Sequence, residues 1–177
     1  MNFRIQASCP QIIKINLEED FSIGETIEDI FPMNNEEAIM VWNHTSIPLN
    51  YKYDISIMIE DIMEMLKTLL ENEKGDLIIH WPSNTFRVDW FLEWNTNLKI
   101  TSDWANVVGD VESILNKKNI LEIGKSEFIY EWKKLLQVLL TNLKKSGYHQ
   151  INPREFSDLY ELEKKISTYG KLYTSFV

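Results

Sequence analysis

Apolar and polar residues alternate most clearly in the middle of the chain, between residues 76 and 104. In the central part of this stretch every second residue is large and apolar: Phe86, Val88, Trp90, Leu92 and Trp94. A period of two predicts a strand with one face in a core. Turn-forming residues at 82–85 and 95–97 divide the stretch into a meander of three strands, which carries four of the six tryptophans.

Apolar residues that recur every three or four positions predict long helices. We expect one helix over residues 55–73, with Asp54 as its N-cap and Gly75 placed to end it. A second helix is expected to begin at the cap Ser126 and to continue to residue 146. The final helix is expected to begin at the N-cap Asn152, with a proline in its first position, and to run to residue 170.

Weaker patterns predict short elements between these helices. They are strands over 3–7, 11–17 and 37–42, a turn over 43–46, and short helices over 26–31 and 110–118. Strands at the start and in the middle, followed by helices, predict an α+β fold. We expect a single domain over residues 1–177, with a mostly antiparallel sheet whose tryptophan-rich meander is packed by two or three long helices.

Composition narrows the class of protein. A single cysteine, Cys9, excludes an internal disulfide and a multi-cysteine zinc site, and it favours a reducing compartment. The first 20 residues lack the pattern of a signal peptide. No apolar run reaches the roughly 18 residues that cross a bilayer. We therefore expect a soluble, cytoplasmic protein with no cofactor.

Acidic residues are concentrated towards the N-terminus. Residues 1–75 contain five basic and 14 acidic residues, and their net charge of −9 equals that of the whole chain. Such a charge argues against direct binding to nucleic acid or to an anionic membrane. It is compatible with a basic protein partner, because complementary charges speed encounter. The alternative is that the charge serves solubility alone.

The expected partner-binding surface combines an acidic face with an aromatic anchor. The acids are Glu18, Glu19, Asp20, Glu25, Glu28, Asp29, Glu36 and Glu37. Phe91 is expected on the strand face opposite the tryptophans, together with Arg87. An exposed aromatic residue among charges is typical of an interface hot spot. The alternative is that a second layer of structure covers this face.

Catalytic motifs are absent from the sequence. It contains no glycine-rich phosphate loop, no G-x-S-x-G elbow and no H-E-x-x-H pair. The acidic runs near the N-terminus lack the spacing of a calcium-binding loop, so we expect no metal. His80 should face Asp89 if the first hairpin turns at 82–85. This pair could act as a general base or as half of a metal site, although a structural hydrogen bond is the simpler interpretation.

The chain resembles the immunity proteins of bacterial polymorphic toxin systems. The resemblance rests on the spacing W-x₈-W-x₃-W of Trp81, Trp90 and Trp94, on Asp103-Trp104, and on the acid-rich first half. It implies a cytoplasmic protein that is encoded beside a toxin and neutralises it. Together with the acidic face, this leads to the hypothesis of a non-catalytic binder that covers a basic surface of the toxin. The resemblance implies no particular functional residue. The alternatives are an enzyme with a site near His80 and Asp89, or a protein that assembles with itself through the aromatic strand.

Overall fold

The protein is described by a computed structural model that covers residues 2–17 and 20–174, and the side chains of these residues up to 166. One antiparallel sheet consists of β1 (Phe3–Gln6), β2 (Ala38–Trp42) and β3 (Thr45–Leu49), in that order. The other consists of β4 (Gly75–Pro82), β5 (Phe86–Trp94), β6 (Asn97–Val107) and β7 (Ile120–Gly124), also in sequence order.

Helices pack against both sheets. They are α1 (Ile23–Ile30), α2 (Ser56–Glu71), α3 (Glu112–Lys117), α4 (Lys125–Glu131), α5 (Lys133–Ser146), α6 (Tyr148–Ile151) and α7 (Pro153–Thr174), and a π-helical turn (Tyr51–Ile55) leads into α2. The α+β class expected from the order of elements is confirmed. The strands are antiparallel as expected, but they are divided into two sheets of three and four strands.

The alternation along β5 is confirmed. Its apolar positions Trp90 and Leu92 are buried, whereas the intervening Phe91 and Glu93 are exposed. Buried residues of the neighbouring strands complete this inner face: Ile79, Trp81, Leu98, Ile100, Trp104 and Leu121. The inner face of β4–β7 therefore carries all four tryptophans of the meander.

Trp42 connects the two sheets. Its ring stacks on Trp90 of β5, with centroids 5.4 Å apart and an angle of 24° between the planes. It meets Trp104 of β6 edge-on, also at 5.4 Å. Trp132, between α4 and α5, extends the cluster by stacking on Trp81 at 6.3 Å. The core thus lies where the smaller sheet and the α4–α5 junction pack against the inner face of the larger sheet.

The sequence-based description of the strands and turns needs three corrections. Residues 11–17 form no strand; this segment is irregular, and its apolar side chains Ile12, Ile15 and Leu17 pack against the core from a coil. The turn expected over 43–46 is shorter, because positive φ angles at Asn43 and His44 form a tight hairpin that allows β3 to begin at residue 45. β7 was not expected, and it pairs antiparallel with the edge of β6.

The start and end of α2 also differ from expectation. Asn50, and not Asp54, caps the turn before α2, because its Oδ1 accepts the N–H groups of Lys52 and Tyr53 at 2.9 and 3.2 Å. The helix ends at residue 71, and Gly75 begins β4 instead. A Cβ at Gly75 would lie 2.6 Å from the Trp94 ring, so this position requires glycine for close packing and not for ending a helix.

The helix expected from Ser126 to residue 146 is interrupted. α4 begins at Lys125, and Trp132 separates it from α5. After the break the two helices have different neighbours in part: α4 contacts β7, and α5 packs mainly along α7, while both contact β1. The expected end at residue 146 is confirmed, and the following Gly147 has a φ of 91°, which favours glycine. Asn152 caps α7 as expected, its Oδ1 accepting the N–H of residue 155 at 3.2 Å, although the helix continues beyond residue 170.

Asp54 is buried and connects distant segments instead of capping α2. Its Oδ1 accepts hydrogen bonds from the hydroxyls of Ser83 and of Thr85, the latter at 2.6 Å. Its Oδ2 accepts the Asn50 N–H at 2.8 Å. The carboxylate therefore joins the turn before α2 to the first hairpin of the larger sheet.

Replacing Trp90 with alanine should lower the free energy of unfolding by about 3–5 kcal/mol, because it removes a fully buried ring from the centre of the tryptophan cluster. Chemical denaturation followed by fluorescence would measure this. The neighbouring Phe91→Ala is the control, and we expect a loss below about 1 kcal/mol because that ring is largely outside the core. Equal losses would contradict the central role of Trp90.

Asp54→Ala should destabilise the protein by about 3 kcal/mol, since it leaves the donors of Ser83, Thr85 and Asn50 without their acceptor. Ser83→Ala removes only one of these donors and should have a smaller effect. Denaturation midpoints of both variants would show the difference. If Asp54→Ala is no more destabilising than Ser83→Ala, the carboxylate does not hold the two segments together.

Candidate binding surface

The side chains of β4–β7 that point away from the core form an open surface, here called the outer face. Its centre is a row of one residue from each strand, here called the apolar row because three of its four members are apolar: Ile78, Phe91, Thr101 and Ile120. The register pairs Ile78 with Phe91, Phe91 with Thr101, and Thr101 with Ile120. Ile78, Phe91 and Ile120 are 51%, 42% and 48% exposed. The covering layer considered as an alternative is therefore absent from the described part of the chain.

Charged residues occupy the positions on both sides of the apolar row. On one side the register aligns Asp76, Glu93, Lys99 and Glu122. On the other side it aligns His80, Asp89 and Asp103. Side chains two positions apart on a strand are about 7 Å apart, so each charged row lies at about this distance from the apolar row. The arrangement is an apolar strip between two acidic borders.

His80 and Asp89 form the pair that the sequence predicted. The Nδ1 of His80 lies 2.7 Å from the Oδ1 of Asp89. Their side chains are 70% and 47% exposed, and they lie on the open outer face. Arg87 is nearby on the same strand, and one of its terminal N–H groups donates to the Oδ1 of Asn84 at 3.0 Å. The pair is thus part of the acidic border and stands in open solvent.

A shallow cleft of about 730 Å³ lies at the end of the outer face, where β5 turns into β6. Its charged lining comes from the row of Asp76, Glu93, Lys99 and Glu122. The Nζ of Lys99 is 3.8 Å from a carboxylate oxygen of Glu93, which leaves the other two carboxylates without an ion pair among the described residues. The cleft therefore continues the acidic border and has the same sign of charge.

The acids predicted near the N-terminus lie elsewhere. Asp20, Glu25, Glu28 and Asp29, here called the acidic ridge, are exposed on α1 and just before it. α1 packs mainly against α2, the π-helical turn and α5. Over the residues that the structure describes, α1 has no substantial contact with β4–β7, and the outer face points away from the core, so the acidic ridge and Phe91 form two separate surfaces.

Glu25 has a structural role within the acidic ridge. α1 begins at Ile23, three residues earlier than expected, because Ser22 and Glu25 form a capping box. The Glu25 carboxylate accepts the Ser22 N–H at 2.9 Å, and the Ser22 hydroxyl accepts the Glu25 N–H at 3.2 Å. Hydrogen bonds with the backbone and then the side chain of Ser22 lower the pKa of Glu25.

Two of the remaining predicted acids make hydrogen bonds within the protein, and the other two lie outside the described residues. The Glu36 carboxylate accepts the Cys9 N–H at 3.0 Å, and that of Glu37 accepts an amide hydrogen of Asn50 at 3.2 Å. Both side chains thus support the loop before β2. Glu18 and Glu19 lie outside the described residues.

The groups with raised pKa values are partly or fully buried. Burial raises the pKa of Tyr51, of Glu131 and of Tyr148. Each has a structural hydrogen bond: Tyr51 accepts from the Ser8 N–H, Glu131 accepts from the Ile5 N–H, and Tyr148 donates to Glu155. Among the residues described, no group of three or more histidine, cysteine, aspartate or glutamate side chains is arranged to hold a metal ion.

Sequence reasoning placed Phe91 and Arg87 on the outward side of their strand, as the structure does, but it did not include Ile78, Thr101 and Ile120. Alternation along one strand shows which of its residues share a face, but it does not show which residues of other strands lie beside them. The register that aligns the apolar row depends on the hairpins and on β7, which was not predicted.

Comparison of the chain with protein family models, with curated proteins and with solved structures gave no match. Every helix in the described ranges is too short or too polar to span a bilayer.

The Ser22 amide resonance should titrate with the Glu25 carboxyl, with a midpoint below the value of about 4.3 for an ordinary glutamate. Because the pKa is lowered in the folded state, the cap stabilises α1 above the unfolded-state pKa and is lost as pH falls through the lower value. NMR spectra recorded against pH would measure the midpoint, and Glu25→Gln should abolish the titration. A midpoint at or above the ordinary value would contradict the capping role.

Proposed function

We propose that this protein is a non-catalytic binder that neutralises a cognate bacterial toxin by covering a basic surface of it. The observation that carries the proposal is the net negative charge of the acidic ridge, whose four carboxylates outnumber the nearby cation Lys52. Asp20, Glu28 and Asp29 are exposed, and none of them forms an ion pair with another described residue. The nearby Lys52 directs its Nζ to the backbone carbonyl of Glu28, at 2.6 Å, and not to a carboxylate.

Unpaired like charges gathered on and just before one helix produce a negative potential that extends beyond the molecular surface. Such a potential attracts a basic partner, raises the association rate and discriminates against acidic proteins. A toxin that handles nucleic acid would present a basic surface of this kind, and covering it would block substrate entry. The resemblance of the sequence to polymorphic-toxin immunity proteins supports the same role.

The proposal predicts neutralisation by direct binding. The protein encoded beside this one is the partner to test, because immunity proteins are encoded beside their toxins. Expression of its C-terminal domain alone should arrest bacterial growth, and co-expression with this protein should restore it. The purified pair should form a complex whose affinity falls as salt is added. Absence of growth arrest, or absence of a complex, would overturn the proposal.

Reversing the free charges of the acidic ridge should slow association. The variant Asp20→Lys, Glu28→Lys, Asp29→Lys leaves the capping residue Glu25 intact, and we expect an association rate about tenfold lower with a weaker dependence on salt. Stopped-flow mixing at several salt concentrations would measure both.

The matched control is Glu64→Lys, Glu73→Lys, Asp158→Lys, which changes the net charge equally at exposed positions outside the ridge. A smaller effect is expected from it. If both variants slow association equally, the ridge has no special role and only the total charge matters.

A further inference from the structure

The outer face of the larger sheet has the composition of a docking surface. Its apolar row spans four strands, which at about 4.8 Å between strands makes a strip of about 14 Å. Exposed isoleucine and phenylalanine side chains aligned in this way are uncommon on a surface that faces only water. A strip of apolar contact inside a polar border is the usual arrangement of a protein interface.

We propose that the outer face is where the partner docks, and that the partner presents an apolar strip bordered on both sides by lysine or arginine. This inference rests on the proposed function and names the surface that serves it. Phe91 lies in the row between Ile78 and Thr101, and it supplies the central anchor. The acidic ridge then attracts the partner from a distance, while the outer face makes the contacts that retain it.

Charge complementarity selects the partner. The outer face carries the acids Asp76, Asp89, Glu93, Asp103 and Glu122, against the bases Lys99 and Arg87. Because Lys99 and Arg87 offset only part of this charge, the two borders are net negative. Cationic groups placed about 7 Å to either side of an apolar strip would meet these borders directly.

The same charges disfavour a second copy of this chain as the occupant. Two outer faces brought together would place net negative borders against each other, and desolvated like charges oppose association. The apolar row alone is one residue wide, so it offers little area to offset this repulsion. A basic partner removes the conflict, since it gains from both the apolar row and the acidic borders.

The experiment replaces the apolar row while it keeps the strands. The variant Ile78→Thr, Phe91→Thr, Ile120→Thr retains a residue with high strand propensity at each position, and thermal denaturation would confirm that it folds. Its affinity for the toxin domain used in the neutralisation test should be at least about 30-fold weaker, mainly through faster dissociation. The control is Ile57→Ala with Ile114→Ala, which truncates isoleucines that are each 50% exposed on helices. This control should bind within about twofold of the original protein.

Failure of this inference can be told from failure of the proposed function. If the toxin domain binds the original protein and the threonine variant equally well, the outer face is not the docking surface, although the proposed function stands. If the original protein does not bind the toxin domain, the proposed function fails and this inference fails with it. Self-association that the threonine variant abolishes would assign the row to a second copy and would overturn the inference.

A second measurement does not depend on the toxin. A synthetic amphipathic peptide of leucine and lysine and a polylysine of similar length would be titrated into labelled protein, and amide shifts would be followed by NMR. We expect the leucine–lysine peptide to shift the resonances of β4–β7 around Phe91. Polylysine should shift the resonances of the acidic ridge, and it should shift those of the apolar row less than the leucine–lysine peptide does. If the leucine–lysine peptide shifts mainly the resonances of α1 or of α5, the inference is overturned.

Discussion

The stacking of Trp42 on Trp90 is the contact on which the rest of the structure depends. A small sheet needs a buried apolar face to be stable, and the apolar faces of the two sheets here meet at this contact. The burial has an energetic penalty, because the indole N–H groups of Trp81, Trp90, Trp104 and Trp132 have no hydrogen-bond partner among the described residues. Each such group costs about 1–3 kcal/mol, so ring packing and apolar burial must exceed that loss.

This constraint also determines what the outer face can be. Since side chains alternate along a strand, directing the tryptophans of the meander into the core places Arg87, Asp89, Phe91 and Glu93 outside. Substitutions on an exposed face have small effects on stability. The inner face of the same strands therefore maintains the fold, and the outer face remains available for recognition.

Acidic residues serve two purposes in this molecule. Asp54, Glu25 and Glu36 accept hydrogen bonds that hold turns, caps and loops in place. By contrast, Glu28 and Asp29 of the acidic ridge are exposed and form no ion pair with a described residue. Net charge alone cannot separate these purposes, because both kinds of residue contribute equally to the total of −9. The distinction comes from which carboxylates already have a donor within the protein.

Features that arise from neighbours along the chain could be predicted from the sequence: the meander, the cap of α7, the glycine after α5 and the outward direction of Phe91. Contacts between distant segments could not. β7 pairs with the edge of β6, Asp54 turns away from α2 because Ser83 and Thr85 offer it donors, and α4 and α5 separate where Trp132 enters the tryptophan cluster. The apolar row is of the same kind, since the register of four strands aligns it. Local patterns specify which way a side chain points, whereas packing specifies what it meets.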